Sequence, residues 1–559
     1  MTEPNANPSA APMGHFRPDD AVDFVVVGVG SAGGIVVREL ATRGFRVVGL
    51  EQGPWRTERD LTHDEIAINH EQILTNVHDQ RTTYRATEHD IAVQKPMFWY
   101  GRGVGGGSAH WTANAWRFHD VDFRERSRHG VLAGTGLADW PIRYQDLEPY
   151  YSMAEWTFGV SGAPGPFDPP RSRPFPLPPL APQSTGVLMD IGAKKLGWHS
   201  QPAPMAILSK PWKNRSSCVH CGACGSYMCE VKAKASTLFT TVPEAVATGR
   251  CEIRPGCVAA KIEHDVKGRV TGVRYFDANR QTVFQRANAV VLCCNGAETP
   301  RLLLMSASSR FPDGLANSNG VVGLHVMFNG EAGAVGVFEH EVNGYRGAPV
   351  TRIVHDFYQV DPKLGLLGGG GIDFRGPSKP ADFALGSLGP GAPRWGSGYK
   401  RVLAEAYTHS VVAFGHTSTL PIPSNRIDLD PTAKDPWGLP AARLTFLSHP
   451  NDLALGRFFE ARALDLLGAA GAKRQWASWS HEQEPEPGQA HLLGTCRMGH
   501  DPKTSVVNSD HQTHDIPNLF IVDGSSFVTG GRGQPTLTIM ALAFRAGERI
   551  ANLARQAAR

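Results

Sequence analysis

The sequence predicts an α/β fold: a parallel nucleotide-binding sheet joined to a discontinuous second domain built on an antiparallel sheet. Three observations carry this. Asp23–Val27 (DFVVV) and Arg46–Leu50 (RVVGL) read as short buried strands, and Gly33–Arg43 between them has the apolar spacing of a helix. The turn leading into that helix is Gly28-Val29-Gly30-Ser31-Ala32-Gly33, a G-x-G-x-x-G. Further glycine and turn motifs recur at residues 101–112, 296–303 and 491–540, so the nucleotide domain must be assembled from separated segments.

In the first motif, Gly28 permits the tight turn, Gly30 lets a pyrophosphate approach the backbone, and Gly33 lets helix and strand pack. The phosphates then meet free N–H groups at the helix N-terminus. Glu51 ends the second strand 23 positions after Gly28, where a carboxylate accepts ribose hydroxyls. This is a Rossmann-like dinucleotide signature. A second glycine-rich stretch, Gly101 to Trp111 (GRGVGGGSAHW), follows about fifty residues later. An NAD enzyme has no use for it. A flavin does, because its pyrophosphate and isoalloxazine need backbone that no side chain obstructs.

Composition narrows the class. The 559 residues allow roughly three to four units of about 150 residues. Lys+Arg 56 against Asp+Glu 53 leaves +3, which argues against nucleic acid or an anionic membrane as the main partner. Hydrophobic residues at 41% and charged residues at 19% describe an ordered globular chain. No apolar run approaches the roughly 18–20 residues of a spanning helix. The first residues, MTEPNANPSAAPMGHFRPDDA, lack the basic, apolar and twin-arginine features of an export signal, and 1–20 reads as a flexible tail.

These motifs together resemble the glucose–methanol–choline (GMC) oxidoreductases. The resemblance rests on Gly28–Glu51, Gly101–Trp111, Gly296–Leu303 (GAETPRLL), His491–Gly499 (HLLGTCRMG), Asp523-Gly524-Ser525 and Pro535–Ile539 (PTLTI), and spans about residues 21–555. Within the family the chain also resembles the flavoprotein subunits of bacterial gluconate 2-dehydrogenase and related sugar and polyol dehydrogenases. The similar passages are Asp139–Ile142, Asp146–Tyr151, the Pro-rich Pro169–Pro182, Cys218–Ser236 and Arg394–Ser397.

The resemblance implies FAD, held by Gly28, Gly30, Ser31, Gly33, Glu51, Gly103, Gly105, Gly106, Ser108, His110, Thr112, Val258, Asp523, Gly524 and Thr536. Alcohol oxidation needs a base for the hydroxyl proton while the carbon passes a hydride to the flavin, and a neutral imidazole suits the first task. His491 opens the motif that carries this base in GMC enzymes. Gln534 stands where the family places a second polar residue, usually Asn or His. It keeps an amide's donor and acceptor but cannot act as a base. Ser108-Ala109-His110-Trp111-Thr112 is similar to the flavin-attachment stretch of pyranose oxidase, so His110 is expected to tether FAD covalently.

Cys218, Cys221, Cys224 and Cys229 form a C-x2-C-x2-C-x4-C cluster. Its expected occupant is an iron–sulfur centre, [3Fe–4S] favoured, with zinc or an unmetallated loop as alternatives. Cys251, Cys257, Cys293, Cys294 and Cys496 read as core thiols.

The expected domains are an FAD-binding unit from 21–120, 215–324 and 486–559, and a substrate-binding unit from 121–214 and 325–485. A Pro-rich arm lies at 164–182, and the Cys-rich loop 218–229 marks the boundary. Ile427–Asp430 and Arg443–Phe446 alternate like strands of a sheet roofing the isoalloxazine, with Gly368–Gly371 as a nearby loop.

The expected activity is oxidation of an alcohol of a sugar, polyol or aldonic acid, with electrons passed to a cytochrome c partner and a small helper subunit present. Export attached to a signal-bearing partner would make the chain periplasmic; otherwise it is cytoplasmic. Two alternatives stand beside this reading. One is an oxidase or glycoside C3 oxidoreductase using O2, and the other is a flavin-binding electron-transfer subunit without substrate chemistry.

Overall fold

The computed structural model describes residues 13–57, 60, 62–75, 81–386, 388–478 and 490–557. The nucleotide sheet grows around Val22–Val27, whose β-branched run is buried on both faces, as a parallel interior strand requires. Val47–Leu50 and then Cys251–Arg254 pair parallel on one side of it. On the other side lies Thr282–Leu292, an eleven-residue strand with two roles. Residues 287–292 pair parallel with the first strand, and Leu519–Ile521 joins the far side. Residues 282–286 continue into an antiparallel extension with Val270–Phe276 and Val258–His264.

Three helices cover this sheet and share its core: Gly33–Ala41, Tyr144–Phe158 and Thr536–Ala557. A Cβ on Gly547 would stand 2.5 Å from the Glu39 Cβ, which shows how closely the last helix lies on the first.

The second sheet is wholly antiparallel, in the order 474–477, 330–337, 410–417, 370–375, 352–354, 200–202. Helices Ser184–Leu196 and Pro450–Ala470 pack on one face and make a separate core. The longer helix has clear end signals. The His449 ring accepts the Asn451 N–H at its start, Pro450 holds the first turn, and Gly471 ends it at φ 107°. Strand alternation then decides function: Val411 and Ala413 enter the helix-side core, whereas Val412, Phe414 and His416 face the nucleotide domain.

Several expectations are corrected here. The strands over 427–430 and 443–446 exist, as Arg426–Lys434 and Pro440–Thr445, but they form a separate four-stranded sheet with Thr83–Arg85 and Val93–Gln94. The roof is the six-stranded sheet. Gly370 and Gly371 belong to one of its strands, where a Cβ on Gly370 would lie 1.7 Å from the His416 carbonyl oxygen. The expected tail at 1–20 is tied down from Gly14, whose N–H donates to Cys251 O; residues 1–12 lie outside the described residues. The Pro-rich 164–182 segment, expected as either an extended arm or a surface-hugging linker, makes contacts on its own chain. The Pro170 carbonyl accepts from the Tyr144 hydroxyl, and Arg171 pairs with Glu155 on helix Tyr144–Phe158. Among the described residues no helix is long and apolar enough to cross a membrane.

Candidate active site

A cavity of about 1080 Å³ lies between the two sheets and brings together residues from every motif segment. At the nucleotide end, Gly28 turns at φ 87°, and a Cβ there would meet the Cys293 carbonyl oxygen at 2.6 Å. Gly30 and Ser31 line the cavity. A Cβ on Gly30 would find nothing nearer than the Gly106 Cα at 3.6 Å, so space is kept above it. Gly33 is off the cavity wall. Its missing side chain serves the turn, since a Cβ would lie 1.9 Å from the Gly28 carbonyl oxygen. A Cβ on Gly106 would lie 2.7 Å from the Gly30 Cα, so the two glycine loops close on one crevice.

Glu51 joins these loops. Its carboxylate accepts N–H bonds from Val29 (3.0 Å), Gly53 (2.9 Å) and Gly103 (3.1 Å). A carboxylate has about four acceptor positions, so one is left for a ribose hydroxyl. Burial raises its pKa, and the three N–H groups oppose that rise. Gly103, Gly105 and Ser108 are not among the residues that line the cavity. They build the loop: Gly105 N–H donates to Val29 O at 2.8 Å, and the Ser108 hydroxyl donates to Gly105 O while accepting Thr237 N–H.

His110, Thr112, Val258, Asp523, Gly524 and Thr536 do line the cavity. The buried His110 Nε2 has no hydrogen-bond partner among the described residues. Burial, helped by the positive charges of Lys234 and Arg56, lowers the His110 pKa to about 3, so the ring is neutral. In the Asp523-Gly524-Ser525 turn, the Asp523 carboxylate accepts the Ser525 N–H (2.7 Å) and the Thr299 hydroxyl (2.6 Å). The Ser525 N–H is therefore occupied within the turn.

At the substrate end stand His491 and Gln534. The run after His491 is stitched into place: Leu493 N–H donates to Met327 O, Gly494 N–H to Gly524 O, and Cys496 N–H to Ser525 O. His491 itself has φ 58°, a left-handed conformation that is uncommon outside glycine and concentrates at functional positions. Its ring makes no hydrogen bond among the described residues. Burial first, then His416 and Arg375, lower its pKa to about 3, leaving a neutral imidazole. Gln534 is buried just before helix Thr536–Ala557. It follows Arg532, whose guanidinium pairs with Asp122 at 2.8 Å and with Glu125. The Trp116 ring occupies the space a Gly533 side chain would take.

Sequence reasoning missed three residues here. Gln534 Nε2 lies 2.9 Å from His416 Nδ1, His416 Nε2 lies 2.9 Å from Asp373 Oδ2, and Arg375 donates to both Asp373 oxygens (2.6 and 2.9 Å). Asp373 is fully buried, and Arg375 and the His416 ring hold its pKa down at about 2. The sequence does carry a signal: Asp373-x-Arg375 and Phe414-x-His416 are polar or aromatic pairs at strand spacing in otherwise apolar runs.

The cysteine expectation is not supported. Among the described residues no group of three or more His, Cys, Asp or Glu side chains is gathered to hold a metal. Cys221 is exposed and Cys224 buried, and all nine cysteines are free. Lys234 fills the middle of the loop, its ammonium donating to the carbonyls of Trp111, Cys224 and Tyr227. Cys257, Cys293 and Cys294 line the nucleotide cavity, so they are not merely core thiols.

A Rossmann-type sheet facing an imidazole-bearing antiparallel roof defines a two-domain nucleotide-dependent oxidoreductase. The chain belongs to the GMC oxidoreductases: the family's N-terminal model matches residues 22–323 and its C-terminal model 421–543. It is 35% identical to 2-methyl-1,2-propanediol dehydrogenase of Mycolicibacterium austroafricanum, with 95% of each chain covered. It is 29% identical to the gluconate 2-dehydrogenase flavoprotein of Pantoea cypripedii, over 95% of this chain and 93% of that one. Among solved structures, pyridoxine 4-oxidase from Mesorbium loti shares the fold at TM-score 0.61 and 16% identity, covering 96% of this chain and 99% of that one.

The family binds FAD, and the residues here fit it. The Gly30–Gly106 crevice admits a pyrophosphate, Glu51 keeps one acceptor position for a ribose, and the unpartnered His110 edge lines the same cavity.

Proposed function

We propose that this chain is an FAD-dependent dehydrogenase that oxidises a primary or secondary alcohol of a small polyol, sugar or aldonic acid, with His491 as the base. The carrying observation is that His491, neutral and without a hydrogen-bond partner among the described residues, lines the same cavity as the glycine loops. FAD, when bound, supplies the hydride acceptor. His491 takes the hydroxyl proton. Its low pKa keeps the nitrogen lone pair available at neutral pH, and the nearby Arg375 cation favours the alkoxide that forms. Gln534, which lines the same cavity, orients the substrate, and the aromatic side chains of Trp111, Phe414 and Trp476 on the cavity wall limit its size.

The substrate class is supported by relatives named for 2-methyl-1,2-propanediol, gluconate and fructose. Electron delivery to a cytochrome-type acceptor with a helper subunit belongs to the same proposal, supported by the likeness to a fructose dehydrogenase large subunit. Covalent attachment of FAD through His110 also belongs to it, supported by that ring's unpartnered Nε2.

Anaerobic mixing of the oxidised holoenzyme with a panel of diols, sugars and sugar acids tests the activity. Bleaching of the flavin band by members of the panel is expected. If none bleaches it while dithionite does, the dehydrogenase reading is wrong. Fast turnover in air without an added dye would instead identify an oxidase.

A further inference from the structure

The register of the six-stranded sheet decides which side chains it turns toward the cavity. In strand 330–337, Ala332 and Ala334 enter the helix-side core, so Glu331, Gly333 and Val335 point the other way. Glu331 stands directly opposite His416 on the next strand, and Gly371 stands opposite His416 on its other side. The row therefore runs Glu331–His416–Gly371. Beside Gly371, which has no side chain, the Trp116 ring packs against His416 at 5.0 Å and closes that flank. Glu331 is on the open flank. Its side chain is exposed, and it lines the cavity together with His416, Gln534 and His491.

Six carboxylates line this cavity: Glu51, Glu298, Glu331, Asp382, Asp435 and Asp523. Five are engaged. Glu51 accepts three backbone N–H groups, and Glu298 accepts the Tyr100 hydroxyl and pairs with Arg301. Asp435 pairs with the same Arg301, Asp382 accepts the Asn69 amide, and Asp523 accepts Ser525 and Thr299. Glu331 has no hydrogen bond or ion pair among the described residues, and the one charge acting on it is Arg375. That guanidinium already donates to both Asp373 oxygens and lies over the Phe414 ring at 4.1 Å. Burial raises the Glu331 pKa and Arg375 opposes the rise, so the ionised carboxylate gains from a donor brought into the cavity. Lys379 and Arg394 also line the cavity, but they come after Arg375 in the chain. Arg375 is four residues beyond Gly371, about 13 Å along the strand at ~3.3 Å per residue, and Lys379 Nζ lies over the Tyr227 ring at 5.5 Å.

The groups that shift the His491 pKa are His416 and Arg375, not Glu331. Glu331 therefore meets a part of the substrate other than the hydroxyl that His491 deprotonates. A carboxylate accepts and does not donate, so hydroxyl and ammonium groups suit it and a second carboxylate is repelled.

Resting on the proposed oxidation at His491, we infer that Glu331 sets the charge class of the substrate: it accepts hydrogen bonds from hydroxyl or ammonium groups at the non-reacting end, and it excludes alcohols that carry a carboxylate there. Of the classes proposed above, neutral polyols and sugars stay, amino alcohols and amino sugars join them, and aldonic acids are removed. Glu331 is a specificity residue and takes no proton from the reacting hydroxyl.

The test is equilibrium binding to the dithionite-reduced holoenzyme, which cannot accept a hydride, by calorimetry at pH 7. Glycerol, glycerate and 3-amino-1,2-propanediol share two hydroxyls on adjacent carbons and differ only in the charge of the third carbon's group. Like charges set together are costly, so glycerate is expected to bind about tenfold or more weaker than glycerol, and the ammonium compound at least as tightly as glycerol. Glu331→Gln keeps the length and a carbonyl acceptor but removes the charge. Glycerate should gain and the ammonium compound lose until all three lie within about threefold, with glycerol within about threefold of its parent value. Glycerate binding the parent as tightly as glycerol, a charge order that survives Glu331→Gln, or an equal loss of all three ligands in the variant would overturn the inference. Anaerobic bleaching with the same compounds separates the two claims. Equal bleaching by glycerol and glycerate refutes only the charge rule, whereas bleaching by none of the three, nor by the wider panel, refutes the oxidation at His491.

Discussion

Glu51→Gln is the sharpest probe of how the FAD site is built. Oε1 of Glu51 serves Gly53 and Gly103, and Oε2 serves Val29. The amide oxygen of Gln can keep the first pair, which leaves its NH2 opposing the Val29 N–H across 3.0 Å. One charge-assisted bond is lost and two donors face each other. Bonds to charged groups contribute about 1.5–3 kcal/mol, so the clamp between the glycine loops should weaken about 10- to 100-fold. Burying a neutral amide is less costly than burying a carboxylate, which places the result toward the lower end. FAD titration of apoprotein by flavin fluorescence measures it, on a His110→Ala background so that no covalent bond masks the equilibrium. An FAD Kd within twofold of the parent would refute the clamp.

Three further outcomes follow from the geometry. Gly30→Ala should leave the apoprotein melting temperature unchanged yet abolish FAD binding, whereas Gly33→Ala, with its methyl 1.9 Å from the Gly28 carbonyl oxygen, should prevent folding; differential scanning fluorimetry with and without FAD separates them. Glu155→Gln breaks a buried network in which Glu155 receives Arg117 at 2.8 Å and Arg171 at 3.0 Å, and should cost about 3–5 kcal/mol in denaturant unfolding. Burial lowers the pKa values of His325 and His511 to about 3 and of His355 to about 4. The unfolded chain binds these protons near pH 6.5 and the folded chain does not, so their stability is complete above that pH and lost as pH falls toward 3–4. From pH 7 to 5.5 each should cost about 1 kcal/mol, read as a falling melting temperature.

What was legible in the sequence is what backbone geometry dictates. Gly28 and Gly33 announce their turn because only glycine fits there, Gly30 keeps the space above the turn open, and the first two strands are apolar because both faces are covered. Ser108 and Gly105 share the same conspicuous loop but support it from behind, and no spacing rule separates support from contact. The strands at 426–434 and 440–445 were visible as alternation, yet alternation does not say which sheet a strand joins. The Asp373–His416 pair was least legible. Its members lie 43 residues apart and meet only through the antiparallel register that sets Gly371 against His416 and Asp373 against Phe414. The cysteine run misled because close spacing supplies ligands without fixing where the sulfurs point, and here Lys234 occupies the loop's centre.

The central claim is that the His491 imidazole removes the hydroxyl proton during alcohol oxidation. Anaerobic stopped-flow reduction of the His491→Gln holoenzyme by 1,2-propanediol tests it most directly, alongside diol binding to the reduced form. The account predicts a fall in the limiting reduction rate of about 10²–10⁴-fold with diol affinity nearly unchanged. A variant that is reduced as fast as the parent would contradict it.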